Sequence, residues 1–134
     1  MKFSRQTAIV GIGATEFSKN SGRTPMQLAT ECSLKACEDA GIEPSLINGI
    51  SVFSAEKNTE IEVARNLGIP ELTFFSMIHH GGGAPGGVIQ QAAMAVDSGV
   101  ADYVLVYRAF NERSWHRFGT GVQGRHQSPE AFDV

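Results

Sequence analysis

The stretch Ser76-Met77-Ile78-His79-His80-Gly81-Gly82-Gly83-Ala84-Pro85-Gly86-Gly87 holds the residues of this chain best placed for chemistry. It follows the apolar run Leu72-Thr73-Phe74-Phe75 and opens a helical pattern that reaches about Ser98. A strand that enters a helix through a glycine-rich turn presents unpaired backbone N–H groups and the positive end of the helix dipole. That setting suits a nucleophile or a developing oxyanion. No Ser, Cys or Thr stands between Gly81 and Gly87, so the turn has the form of a nucleophile elbow without its nucleophile.

Open α/β sheets place ligands outside the carboxyl ends of their strands. By that rule His80, Gly81, Gly82 and Gly83 are candidates to line a substrate pocket, with packing or a backbone hydrogen bond the alternative for His80. Adjacent histidines on extended backbone point to opposite faces. No Cys, Asp or Glu lies close to them in sequence, so no metal site is expected there. Asn111, in Asn111-Glu112-Arg113-Ser114, follows the last strand-like run and is the other candidate pocket residue. Loop capping, dimer or tail contacts are the alternative for that segment. Gly11-Ile12-Gly13-Ala14-Thr15-Glu16 begins like a dinucleotide fingerprint, but Glu16 replaces the third glycine and would repel a pyrophosphate. A plain tight turn is the reading we adopt.

The elements that must position these residues alternate along the chain. Thr7 to Gly13 reads as a buried strand ending in a glycine turn. Thr24, Pro25 and Gln27 form the start of a helix, with an N-cap, a proline at the first helical position and a capping-box partner. Leu28, Cys32, Ala36 and Ala40 recur every four residues, and Gly41 ends the pattern. Ile47 to Ser54 is a second strand. Asn58-Thr59 caps a second helix, which runs to about Leu67 and stops at Gly68-Ile69-Pro70. Leu72 to Met77 and Tyr103 to Arg108 are the remaining strands, joined by the glycine turn and a third helix. This alternation predicts an α/β fold, a mainly parallel sheet with helices on both faces and strands buried on both sides.

The 134 residues suffice for one small domain, divided on this reading into residues 1–118 and a polar loop or disordered tail at 119–134. A net charge of −3 is too mild to point to nucleic acid or an anionic membrane. Arg108, Arg113, Arg117 and Arg125 read as a solvated or interface segment, with a phosphate contact the alternative. Cys32 and Cys37 stand five apart in a predicted helix and point to different sides, so they read as reduced thiols in a cytoplasmic protein. Neither a signal peptide nor a run long enough to span a membrane is visible.

From Ala8 to about Ser114 the chain resembles the thiolase superfamily, in its sterol-carrier or non-specific lipid-transfer type. Ala8-Ile9-Val10-Gly11-Ile12-Gly13-Ala14-Thr15-Glu16-Phe17 is similar to that family's first strand and turn. Gly99-Val100-Ala101-Asp102-Tyr103-Val104-Leu105-Val106 is similar to the segment after its nucleophile helix. Asn58-Thr59-Glu60, Leu72-Thr73-Phe74-Phe75 and Tyr107-Arg108-Ala109-Phe110-Asn111-Glu112-Arg113-Ser114 resemble a bacterial branch linked to sterol side-chain degradation. In the family the reactive cysteine stands about 17 positions before the glycine that matches Gly99, and Gly82 occupies that place. A glycine forms no acyl-thioester, so the resemblance implies chemistry without acyl-cysteine. Members lacking the cysteine resemble retro-aldolases that cleave a β-hydroxyacyl-CoA side chain from a steroid. The resemblance thus implies an acyl-CoA substrate, no cofactor, a homodimer and a small zinc-ribbon and OB-fold partner protein. It also implies a parent nearly three times as long, so that this chain supplies part of the first half and is inactive alone. The rival reading is a non-catalytic lipid or acyl-CoA binding or assembly module.

Overall fold

The computed structural model describes residues 5–54, 56–79 and 81–114. Helices and strands alternate along them: α1 (Pro25–Ala40), β1 (Gly49–Phe53), α2 (Glu60–Leu67), β2 (Phe74–Ile78), α3 (Ala84–Asp97) and β3 (Val104–Tyr107). Short 3-10 turns lie at Pro44–Leu46 and Gly81–Gly83. The expected tail at 119–134 lies outside the described residues.

The helix ends follow from local chemistry. Thr24 accepts a bond from the Gln27 N–H, and the Gln27 side chain accepts one from the Thr24 N–H at 2.9 Å. Thr59 and Glu62 repeat this reciprocal cap at the start of α2. Each such cap contributes roughly 1 kcal/mol. Gly41 and Gly68 close their helices at φ of 68° and 71°, a conformation that costs an L side chain energy and glycine almost none.

The strands form one parallel sheet in the order β2-β1-β3. Gly49 is in register with Phe74 on one side and Val104 on the other. Every residue of the central strand is buried. Ile50 and Val52 join Leu28, Ala29, Val63, Leu67, Leu105 and Tyr107 in a core beneath α1 and α2. Alternation sends Gly49, Ser51 and Phe53 to the other face, which α3 covers through Ala84, Val88 and Ala95. The α/β class and the helices on both faces therefore stand as expected. At the strand entrances, Asn48 Oδ1 accepts bonds from the Asp102 and Tyr103 N–H groups, fixing β3 beside β1.

Two expectations are corrected. Burial on both faces describes β1 but not β2, where Phe75 and Met77 are 65% and 45% exposed. The reason is coverage: α1 and α2 lie over β1 and β3, and leave that side of β2 open. The apolar run from Thr7 to Gly13 is not a strand, and the sheet has three strands among the described residues. Instead the run lies against α1. A side-chain carbon at Gly11 or Gly13 would stand 2.2 Å from the Ala36 or Cys32 carbonyl oxygen, so only glycine allows this approach. The Ile12 N–H donates to Asp39 Oδ2 at 2.8 Å, so it bonds to a side chain rather than to a neighbouring strand. A cavity of about 1160 Å³ separates the run from β3. Ile9 and Ile12 consequently stay 73% and 75% exposed.

Candidate functional site

Because the sheet is parallel, β1, β2 and β3 all end at one edge, and the residues that could act there come from the segments leaving it. β2 passes through His79 into the Gly81–Gly83 turn and then α3, as the sequence predicts. Gly82 and Gly83 are exposed. A side-chain carbon at Gly82, Gly83 or Gly86 would meet nothing within 4 Å, so the turn borders open space. At Gly87 such a carbon would touch Ile78 at 3.3 Å, which seats the helix on the end of β2. Gly83 is the N-cap residue of α3 and has no side chain to satisfy its first N–H groups, with Pro85 just inside. Uncapped N–H groups and the positive end of a helix dipole are a setting that favours negative charge. Ser51 and Ser76 share a hydrogen bond of 2.7 Å in the strands behind it. His80 lies outside the described residues, and His79 is exposed.

Asn111 sits at the same edge beyond β3, on the other side of β1 from the glycine turn. Its Oδ1 accepts from Ser21 Oγ at 2.8 Å, and its Nδ2 donates to the Arg23 carbonyl. The side chain therefore ties the segment after β3 to the loop before α1. Arg23 in turn pairs with Glu31, which also binds Lys35 at 2.7 Å. The bond from Lys35 is the main cause holding the Glu31 carboxyl below its usual range.

Both cysteines lie on α1, on the face of the sheet opposite α3, and both are free. Burial pushes each thiol above its ordinary value. Neither has the exposed, electropositive setting of a reactive thiol.

One residue that sequence reasoning passed over belongs to this edge. Glu56 follows β1, in the connection to α2. Its Oε2 accepts from the Ala109 N–H at 3.0 Å, while Oε1 is buried without a hydrogen-bond partner. Burial raises its pKa to about 7 against the opposing effects of the Ala109 N–H and the Arg108 cation. Beside it the Tyr107 hydroxyl donates to the Asn58 carbonyl at 3.2 Å. Burial, with Glu56 adding, pushes that phenol upward. Arg108 lies 5.5 Å from the centre of the Phe53 ring and 4.8 Å from that of Phe110. The one sequence signal was position: an acidic residue just past the end of the central strand.

Among the described residues, no three His, Cys, Asp or Glu gather as a metal would require. No described helix is long and apolar enough to cross a membrane.

No family model matches the chain. The steroid side-chain-cleaving aldolase of Thermomonospora curvata is 60% identical over 118 residues, which are 88% of this chain and 30% of that protein. The 17-hydroxy-3-oxo-4-pregnene-20-carboxyl-CoA lyase of Mycobacterium tuberculosis is 61% identical over 116 residues, 87% of this chain and 30% of the lyase. The chain thus spans about a third of the length of the curated relatives it matches. Among solved structures, the Ltp2-ChsH2(DUF35) aldolase superposes with a TM-score of 0.79 at 58% identity, over 88% of this chain and 29% of that one. The monomeric SCP2-thiolase like protein type 1 of Mycobacterium smegmatis gives 0.60 at 25% identity, over 73% and 22%. The fold is therefore of the thiolase type.

Proposed function

We propose that this chain forms part of a thiolase-fold aldolase that cleaves a steroid side chain, carried as a β-hydroxyacyl-CoA thioester, by a retro-aldol reaction. The observation that carries the reading is the identity of 60% over 118 residues with a steroid side-chain-cleaving aldolase. The glycine turn is consistent with it. A retro-aldol step removes the proton of the β-hydroxyl, breaks the adjoining carbon–carbon bond and leaves the electron pair as a thioester enolate. The products are a steroid ketone and, once the enolate takes up a proton, a shorter acyl-CoA. No covalent acyl-enzyme is needed, so Gly82 costs the reaction nothing.

The N–H groups at the start of α3 would stabilise the negative oxygen of the enolate. Small residues at 81–83 leave room beside them for a bulky steroid. Residues 81–87 contain only Gly, Ala and Pro, so the proton acceptor is a side chain from elsewhere. His80 and Asn111 are the proposed flanking residues of the pocket. The named neighbour includes a DUF35 component, and a small partner of that kind is proposed for this chain as well. The homodimer, the lipid-transfer affiliation and the place of residues 1–118 within a longer protein belong to the same proposal. Alone, the 134 residues are proposed to be inactive.

A graft tests this. Residues 1–118 of this chain replace the matching segment of the Thermomonospora aldolase, and release of acyl-CoA from a steroid β-hydroxyacyl-CoA is followed with the DUF35 partner present. The expected chimera cleaves its substrate while the isolated chain does not. A folded chimera that binds the thioester and never cleaves it would refute the reading in favour of a binding module.

A further inference from the structure

We propose that Glu56 is a pH-sensitive positioning residue, which latches the segment after β3 while its carboxyl is neutral and releases it on ionisation. The geometry carries this. Glu56 Oε2 holds the Ala109 N–H at 3.0 Å, across 53 positions of sequence. Its other oxygen is buried and unpartnered. A neutral carboxyl leaves that oxygen unpaired at modest cost, whereas a carboxylate would stand partly buried with one donor where it accepts several.

The groups facing it come from each element packed against it. Arg108 lies beside it from the exit of β3, Cys32 approaches from α1, and Tyr107 stands at the end of β3. Glu60 and Glu62 of α2 act on Tyr107. The Arg108 cation favours ionisation, yet burial outweighs it and the Ala109 bond together. Ionisation therefore favours states in which the carboxyl reaches water and lets go of Ala109. Two residues further on, Asn111 is fastened to Ser21 and Arg23. The latch thus governs the segment that leaves the carboxyl edge of the sheet after β3. It stands independently of the acyl-CoA reading.

The sign follows from linkage. The folded-state pKa is raised, so closure is fully stabilised below the ordinary glutamate value and weakens as pH rises toward about 7, with little change beyond. Amide hydrogen exchange in the 134-residue chain, corrected for intrinsic rates, tests it. The Ala109 protection factor is expected to fall by at least about tenfold between pH 5 and pH 8, allowing for partial solvent screening. Ile50, in the central strand, keeps its protection. Glu56→Gln retains an acceptor without a charge and is expected to give a flat Ala109 profile at a protected level. Glu56→Ala is expected to leave Ala109 unprotected at both pH values. A pH-independent Ala109 in the parent chain would overturn the proposal. So would an undiminished pH slope in Glu56→Gln, an equal loss at Ile50, or a chain with no protected amides.

Discussion

Gly82→Cys restores a thiol at the place of the elbow where the thiolase pattern has one, and its reactivity can be worked out before it is made. The substitution meets no atom within 4 Å, so the backbone need not move. The new thiol would sit just before α3, at the positive end of a helix whose first N–H groups have no side-chain cap. A helix N-terminus favours a negative charge by about 0.3–1 kcal/mol, which lowers a thiol pKa of about 8.5 to about 8. At pH 7 about a tenth of it is then thiolate. Cys32 and Cys37 are shifted the other way by burial and hold less thiolate than an unperturbed thiol. An unshifted thiol near 8.5 is about 3% thiolate at pH 7, so the helix end alone gives about a threefold advantage, which burial of the other two thiols and exposure at Gly82 enlarge. Labelling with an aromatic disulfide, followed by peptide mass spectrometry, compares the three sites in one sample. Equal labelling of all three would refute the placement of Gly82 at an open helix start. Labelling of the parent chain as fast as the variant would do the same.

Ile50→Ala removes a fully buried side chain of the central strand from the core beneath α1 and α2, and should cost about 3–4 kcal/mol in urea unfolding, against less than about 0.5 kcal/mol for the half-exposed Ile61→Ala. A cost below about 1 kcal/mol would mean that β1 is not central. Gly13→Ala drives a methyl into the Cys32 carbonyl at 2.2 Å, so the run before α1 must lift away; a loss of about 1–3 kcal/mol and faster proteolysis between residues 7 and 18 are expected. Thr59→Ala removes one half of the α2 cap at about 1 kcal/mol. The Thr59 N–H holds the Glu62 pKa down, so that cap contributes above the usual carboxylate range and is lost as pH falls through the lowered value. Circular dichroism of the parent should show this acid loss, and Thr59→Ala should shrink it.

The helices were the most legible part of the chain, because their boundaries are written in local chemistry. Thr24 with Gln27, Thr59 with Glu62, and the glycines at 41 and 68 fix ends without help from distant residues. The three strands were found within two residues of their ends, since a continuous apolar run bounded by turn signals has few other uses. The run at Thr7 to Gly13 looks the same in sequence and is not a strand. Strand identity depends on a neighbour that offers a ladder, and Ile12 finds Asp39 instead. Its glycines owe their place to the closeness of α1, which no local pattern reveals. The glycine turn was legible from composition. Glu56 was not, because only the return of the chain at Ala109, 53 positions later, turns an ordinary loop carboxylate into a partly buried one.

The strand order also sets a timetable for the nascent chain. The central strand is the first of the three to be made, and its first partner comes 25 positions later, at the Gly49 and Phe74 pairing. Its second partner, at Val104, comes 55 positions later. During synthesis Ile50 and Val52 thus leave the ribosome long before anything can pair with them on both sides. Connections of this range close slowly, and exposed apolar strands invite intermolecular pairing in the interval. The strongly capped α1 and α2 are available earlier and can shield one face of β1 while it waits. Yield in cells should therefore respond more to translation speed between residues 54 and 107 than to the final stability of the sheet.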